Sequence, residues 1–359
     1  MEPSCTILVS NTPLPSQKIG SWTTRIDRFN AQHDTIDYIL SPNAQGSRYI
    51  FCKKRKFITW QPAVRAINLR YWVAMDYLQQ LVKLSKTHSQ LTVIVMDDVH
   101  LLEAIAGLKG RINASMKLIF SFHGFRLSIS SKLQEQVDKV LFLTQLGYDE
   151  SKNASQGFLP KIAIVGNAVD SKKFYPANSA EKKQLREKLG LNQNSAVFIW
   201  MANDRPIKGL AMFQQIAAHY SKVNAQYEFL VIGNAKPYKD DHCTYVGKIP
   251  NADLASYLQV GDFYLFTALT EEGFGLSVIE AYKSGNFVIA PKTGALPEVL
   301  DGLSNKLFVE DPKDLQEWIA KIEAAVLMSH SPITAAQANA IWPYEAWEQN
   351  FLNAITTDL

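Results

Sequence analysis

Cysteine is scarce in this chain of 359 residues: Cys5, Cys52 and Cys243 are scattered, odd in number and without C-x-x-C spacing. That pattern argues against a zinc site and for a reducing compartment. Long apolar runs are missing as well, and nothing reaches the length needed to span a bilayer. Met1-Glu2-Pro3 lacks the basic start and the long apolar core of a cleavable signal peptide, so the expected location is the cytoplasm or, peripherally, the cytosolic face of a membrane. Charge of one sign is in small excess, 37 Lys and Arg against 34 Asp and Glu. A net charge of +3 is too little to imply a nucleic-acid partner, though it leaves room for a local basic patch. Neither G-x-G-x-x-G nor a P-loop lysine motif occurs, which counts against a dinucleotide oxidoreductase and an ATPase. What the chain does have is length: it fits two ordinary domains, each able to bury a core.

The stretch from Thr270 to Glu280, TEEGFGLSVIE, is the most informative. The apolar, aromatic run Asp262 to Phe266 before it suits a buried strand, and Ser277 to Tyr282 after it reads as a helix closed by Gly285. A strand, a glycine loop and a helix start form a junction at the carboxyl end of a parallel strand, where open α/β sheets bind ligands. The first helical N–H groups there make an anion seat. Glu272 and Glu280 bracket the seat, seven residues apart. Carboxylates would repel a bare phosphate, but they accept hydrogen bonds from the hydroxyls on either side of a sugar diphosphate. Taken alone the spacing is common by chance, and the two residues also read as a helix-start carboxylate favoured by the dipole and a solvated helix residue.

The longer run EEGFGLSVIEAYKSGNFVIAPKTGALPEVL resembles the donor-site signature of retaining glycosyltransferases with the GT-B fold, family 4 (glycosyl transferases group 1) in particular. The resemblance implies an α/β architecture of two Rossmann-like domains facing across a cleft: residues 1–165 binding the acceptor, residues 166–338 binding the donor, and residues 339–359 forming a C-terminal helix that crosses back to the first domain. By motif position it gives Glu272 to the donor sugar, the amides of Phe274, Gly275 and Leu276 to the phosphates, and Glu280 to the ribose. Tyr245-Val246-Gly247-Lys248-Ile249-Pro250 matches the segment whose backbone reads the base, and Gly294, in KTGALPE, the loop that helps hold the sugar. The aromatic Trp342-Pro343-Tyr344-Glu345-Ala346-Trp347, followed by Phe351, Leu352 and Ile355, fits the returning helix and equally an ordinary docking helix.

In the first half, Thr6 to Ser10 reads as a buried strand leading through a Pro-rich loop and Gly20-Ser21 to a helix from Thr23 to Phe29. Gly20 takes the place of a family double glycine near the donor; a single glycine is also a plain turn. Leu91 to Met96 and Lys117 to Phe122 are further apolar strands, and polar clusters sit at their ends. The first cluster holds Asp97, Asp98 and His100, candidates to orient the acceptor or to cap the next helix. The second holds His123; SFHGF resembles the family's strand-end histidine that faces donor sugar and acceptor, while a buried structural histidine is the alternative. Between them, Lys53-Lys54-Arg55-Lys56 leads to Trp60, Arg65, Arg70, Tyr71 and Trp72, with apolar residues at helical spacing from Ala66 to Leu81. Such a charge run is more often a solvated face; the competing reading is a patch for anionic lipid headgroups or a lipid-pyrophosphate acceptor.

In the second half, Gly166-Asn167-Ala168-Val169-Asp170 to Phe174-Tyr175-Pro176 resembles the family's interdomain segment, with Ala168 where glycine is usual, so strain would follow if the backbone there took a positive φ. Ala196 to Trp200 is a strand, and Asn203-Asp204-Arg205-Pro206-Ile207-Lys208-Gly209 hands over to a helix from Leu210. Arg205 and Lys208, three apart beside the Glu272 loop, would converge on one diphosphate. Phe229 to Gly233 is another strand, and Gly233 joins the donor-binding set. The resemblance implies a retaining glycosyltransferase with Arg205, Lys208, Glu272 and His123 as catalytic residues. The donor would be a nucleotide sugar, UDP-linked by preference. The acceptor would be a glycan or a lipid-linked saccharide in surface polysaccharide or glycoconjugate synthesis. No metal ion and no cofactor is expected. The alternatives from other classes are a GT-B sugar-nucleotide epimerase and a catalytically silent sugar-nucleotide-binding subunit.

Overall fold

The structure is a computed structural model that describes residues 4–16, 21–43, 45–55, 72–155, 157–203, 205–224, 226–233, 241–328 and 333–357. Gly20, the part of the basic run from Lys56 to Tyr71, and Asp204 lie outside the described residues. The chain divides into two compact units, Met1–Gly166 with Glu348–Leu359, and Asn167–Trp347.

Unit 1 is built on strands β1 (Ser4–Ser10), β2 (Tyr38–Ser41), β3 (Tyr49–Phe51), β4 (Gln90–Met96), β5 (Ser115–Ser121), β6 (Lys139–Phe142) and β7 (Lys161–Ile164). They pair in the order β3-β2-β1-β4-β5-β6-β7, all in parallel. The central strands are apolar almost without alternation, as a sheet covered on both faces requires, and Leu91 and Val93 to Met96 are all buried in β4. Helices α1 (Ser21–Gln32), α2 (Met75–Leu84), α3 (Val99–Ala106), α4 (Ser131–Gln134) and α5 (Gln145–Ala154) supply the covers. In α2, Tyr77, Leu78, Leu81 and Leu84 make the buried stripe; Trp72 and Val73 precede the helix in a turn. The chain's last residues also belong to this unit: the Phe351 ring stands edge-on to Phe29 at 5.1 Å, and the buried Lys139 Nζ donates to the Ala354 carbonyl at 2.9 Å.

Unit 2 repeats the plan with β8 (Ala196–Met201), β9 (Tyr227–Ile232), β10 (Thr244–Gly247), β11 (Phe263–Leu265), β12 (Phe287–Pro291) and β13 (Lys306–Val309), in the parallel order β10-β9-β8-β11-β12-β13. Its helices are α6 (Ser179–Leu189), α7 (Leu210–Val223), α8 (Leu254–Gln259), α9 (Leu276–Lys283), α10 (Leu296–Val299), α11 (Leu315–Leu327) and α12 (Ala335–Ala340); α13 (Tyr344–Thr356) then runs from unit 2 into unit 1. An aromatic stack fills the core, with the Phe198 ring 5.0 Å from Phe229 and 4.8 Å from Phe263.

Strand order sets where a ligand goes. In each sheet the winding reverses between two neighbours, β1 and β4 in unit 1 and β8 and β11 in unit 2, and the loops beyond their carboxyl ends diverge to leave a crevice. The loop after β8 carries Arg205 and Lys208, and the loop after β11 carries Glu272. Ala168 has an ordinary negative φ, since Asp97 and Trp342 are the non-glycine residues with positive φ among those described. The backbone at Ala168 therefore carries no left-handed strain.

Candidate functional site

In unit 2 the crevice is shaped by glycines at which a Cβ would collide with neighbouring backbone. Gly209 has φ +75°, and a Cβ on it would lie 1.7 Å from the Thr267 carbonyl oxygen. That approach fixes the Lys208 loop against the strand-end segment after β11, and Thr267 Oγ1 secures it by donating to the Gly209 carbonyl at 2.7 Å. The indole of Trp200 donates to the Lys208 carbonyl at 3.2 Å, and the Leu269 amide donates to the Ile207 carbonyl at 2.9 Å. Lys208 is thus held by its backbone on both sides. Its ammonium forms an ion pair with Glu272 Oε1, both side chains being largely buried. Glu272 is fixed in turn by Gly294, φ +60°, whose Cβ would fall 2.6 Å from the Glu272 amide nitrogen, and by the Ala295 amide, which donates to the Glu272 carbonyl at 3.0 Å.

Gly275, in the left-handed region at φ +78°, turns the chain into α9; the Val278 amide donates back to the Gly275 carbonyl at 3.0 Å, and the amides of Leu276 and Ser277 precede the helix's own hydrogen-bond ladder. Phe274 is buried, its ring 4.9 Å from Trp342 in an edge contact. Glu280 follows one turn later, and burial pushes its carboxyl up to about 7, with the Lys173 ammonium opposing the shift. Gly233, φ +91°, lies against the Ala202 carbonyl and donates its amide to the Gly247 carbonyl at 2.8 Å, so the ends of β8, β9 and β10 are drawn together. Val246 sits half-buried at an irregularity of the β9–β10 pairing. The arrangement gathers a cation, a helix start and two carboxylates in one crevice. Arg205 stands apart from it: the side chain is exposed and donates from Nε to Asn203 Oδ1 at 3.0 Å.

In unit 1 the two polar clusters meet at neighbouring strand ends. Asp97, strained at φ +45°, accepts from the His123 amide at 2.9 Å. Solvent reaches Asp97, yet the protein around it raises its carboxyl above the usual range, and Asp98 adds to that. His123 Nε2 lies 3.1 Å from Ser121 Oγ, and Nδ1 is buried with no hydrogen-bond partner among the described residues. Burial, and then Arg25, lowers the imidazole to about 3, so it is neutral. Trp22, in the first turn of α1, meets the imidazole edge-on at 5.3 Å. Asp98 caps α3 by accepting from the Leu101 amide at 3.0 Å and pairs with Lys54 at 2.8 Å; His100 is exposed at the helix start. Arg55 is committed too, donating from Nε and Nη2 to Asp76 at 2.9 and 2.8 Å and lying over Trp72. Two of the basic residues read as an anionic-lipid patch are therefore neutralised within the unit.

Sequence reasoning missed Trp22, Lys173 and Lys283. Lys173 was within reach of it, being part of the interdomain segment; Trp22 follows Gly20-Ser21 directly. Lys283 carries no signal, because a lysine in a last helical turn is ordinarily solvated. Here it is fully buried and donates to the Val169 carbonyl, Ser171 Oγ and the Ile341 carbonyl at 2.9, 2.7 and 2.8 Å. Burial lowers its ammonium to about 8, opposed by Asp170 and Glu345.

Comparison with known proteins agrees with this geometry. The family model for glycosyl transferases group 1 matches residues 181–339. A GDP-mannose-dependent monoacylated alpha-(1-6)-phosphatidylinositol monomannoside mannosyltransferase of Corynebacterium glutamicum is 26% identical over 291 residues, 72% of this chain and 74% of the relative. A D-inositol 3-phosphate glycosyltransferase of Corynebacterium kroppenstedtii is 22% identical over 211 residues, 54% of this chain and 46% of the relative, so the chain matches about half the length of that protein. Among solved structures, Anabaena HepE in complex with UDP and glucose superposes with a TM-score of 0.70 at 16% identity, covering 98% of this chain and 99% of the other. Family segment, paired parallel sheets and switch-point residues agree: the chain has the GT-B fold, and its residues 181–339 are similar to glycosyl transferases group 1.

Proposed function

We propose that the protein moves a sugar from a nucleotide diphosphate sugar to a glycan or lipid-linked acceptor with retention at the anomeric carbon, in surface polysaccharide or glycoconjugate synthesis. The observation that carries this reading is the Lys208–Glu272 ion pair at the β8/β11 switch point, one helix start away from Glu280. Donor diphosphate takes over Lys208, whose charge then offsets the negative charge growing on the leaving group. Glu272, released from the lysine, accepts from sugar hydroxyls, while the amides at the α9 start meet the phosphates and Glu280 accepts from the ribose. Arg205 swings in from Asn203 to join the diphosphate. His123 offers a neutral imidazole at the strand ends of unit 1, beside Asp97, where the acceptor binds. The carboxylates are occupied with hydroxyls, so the proposed displacement is of the front-face type and needs no metal ion.

UDP-sugars are the favoured donors, and the Anabaena structure with UDP is consistent with that. GDP-mannose is the second reading, favoured by the mannosyltransferase relative. The lipid nature of that relative's acceptor supports a lipid-linked substrate and peripheral contact with the cytosolic face of a membrane. Among the described residues no helix is long and apolar enough to cross a membrane. The test is a thermal-shift panel of UDP-, GDP- and ADP-sugars on wild type and Glu280→Ala, with and without EDTA, followed by NMR of the product anomer. Donor-specific stabilisation that Glu280→Ala weakens and EDTA leaves intact is expected; no shift with any donor at millimolar concentration overturns the donor site. Turnover of donor without acceptor would instead indicate an epimerase.

A further inference from the structure

We propose that Trp342 is a positioning residue of the donor site: it ties the loop that opens α9 to α10, so that the amides of Phe274 to Leu276 and the Gly294 turn meet one diphosphate at a fixed spacing. The inference rests on the assignment of those amides to the donor's phosphates. One indole makes both contacts. Its ring stands edge-on to the Phe274 ring at 4.9 Å, and its Nε1–H donates to the Val299 carbonyl of α10 at 3.0 Å. Phe274 is buried and directly precedes Gly275, so the ring contact ends one residue from the helix start. α10 begins two residues after Gly294, whose turn packs against the Glu272 backbone, and a Cβ on Gly275 would lie 2.6 Å from Leu296 Cδ2. The two loops therefore meet directly at Gly275 and Leu296, and a second time through Trp342.

The backbone of Trp342 shows that this placement is imposed. Its φ is +43°, a left-handed conformation that is costly for a bulky side chain and persists only where the surroundings over-determine it. Here the neighbours do so. The Trp342 carbonyl accepts from the Val169 amide at 3.0 Å, and the Ile341 carbonyl accepts from the buried Lys283 ammonium at 2.8 Å. Lys283 is the last residue of α9 and also donates to the Val169 carbonyl at 2.9 Å. Val169 follows the point where the chain enters unit 2, and Trp342 precedes the point where it leaves. Both are thus fastened to the helix whose first turn is the phosphate seat. Glycine or asparagine would relieve the strain at position 342. Tryptophan keeps it and supplies an aromatic edge to one loop and a hydrogen-bond donor to the other. Filling space alone would need neither the donor nor the left-handed backbone.

The experiment measures Kd for UDP, GDP, uridine and guanosine in wild type, Trp342→Leu and Trp342→Phe, and follows backbone amide hydrogen exchange without ligand. Leucine removes both contacts and phenylalanine only the indole donor, while neither changes the backbone preference. In Trp342→Leu the affinity for the diphosphate that wild type binds is expected to fall about tenfold, the loss of one charge-assisted hydrogen bond. Its nucleoside should bind within about twofold of wild type, since the groups assigned to the nucleoside, Val246 and Glu280, are not hydrogen-bond or ring partners of Trp342. Trp342→Phe, which keeps the aromatic edge, should lose about threefold. Amide exchange is expected to quicken in residues 273–279 and 294–300 and to keep its wild-type rate in β8 and β9. A loss by the same factor for diphosphate and nucleoside, or no loss, overturns the proposal, because a general destabilisation of unit 2 acts on both alike. If Trp342→Leu does not fold, Trp342→Phe carries the same comparison. If wild type binds none of the four compounds, the reading of function fails; exchange then decides Trp342, quickening confined to the two loops supporting the tie and quickening throughout unit 2, or none, overturning it.

Discussion

Lys208 and Glu272, 64 residues apart in sequence, form a largely buried ion pair across the β8/β11 switch point. Each residue is pinned by its backbone, Lys208 through Trp200 and Gly209 and Glu272 through Gly294 and Ala295. The pair holds the lysine where a diphosphate would take it over. Charge-assisted hydrogen bonds contribute about 1.5–3 kcal/mol each, so Lys208→Ala is expected to lower kcat/KM by roughly ten- to a hundredfold or more. Arg205, exposed and tethered to Asn203, must move to take part, and Arg205→Ala is expected to cost less than tenfold. Steady-state kinetics with saturating acceptor separates the two.

Gly209 and Gly294 test whether the loops are held as described. Alanine at 209 meets the Thr267 carbonyl in a backbone conformation that already disfavours a side chain. Gly209→Ala is expected to destabilise unit 2 by at least about 2 kcal/mol, lowering its melting temperature by more than roughly 4 °C. Gly294→Ala presses on the Glu272 backbone itself and should weaken donor binding more than its effect on melting accounts for. Calorimetry alongside donor titration checks both.

Much of this was legible in the sequence because parallel strands buried on both faces read as unbroken apolar runs, and because the glutamates and glycines of TEEGFGLSVIE sit on a strand, loop and helix that local pattern predicts. What escaped depends on distant partners. Lys54 and Arg55 looked like a free basic run, but their carboxylates, Asp98 and Asp76, lie 44 and 21 residues away. Lys283 drew no notice because nothing near it in sequence announces the two carbonyls and the hydroxyl that it meets in the interior. Asp98 and Asp97 looked equivalent; packing made one a helix cap with an ion pair and left the other strained beside His123.

Burial of the Glu280 carboxyl costs stability above neutral pH. Its carboxyl is raised from 4.5 to about 7 by burial, so the folded protein takes up a proton that the unfolded chain does not between those values. The stabilising contribution is fully present below 4.5 and is lost as pH rises through about 7. Glu280→Gln removes the buried charge, and at pH 8 it is expected to melt higher than wild type by several degrees, at roughly 2–4 °C per kcal/mol for a unit of this size. The gap should shrink toward pH 5 while donor affinity is lost at pH 8. Melting curves at the two pH values, with and without donor, check the trade.

His123 imposes the opposite slope on unit 1. Burial and Arg25 depress its imidazole from 6.5 to about 3, so in that interval the unfolded chain binds a proton that the folded unit refuses. The stability it contributes is present above 6.5 and is lost as pH falls toward 3. Replacing it with the non-titrating His123→Asn should flatten the acid limb of unit 1 unfolding, while Glu280→Gln leaves that limb unchanged because Glu280 belongs to unit 2. Trp22, which touches the imidazole, reports locally on this opening. Its fluorescence, isolated by replacing it in a parallel sample with Trp22→Phe, should change over a lower pH range in His123→Asn than in wild type. A transition at the same pH in both would mean that another group governs the acid unfolding of unit 1 and that His123 tolerates its proton.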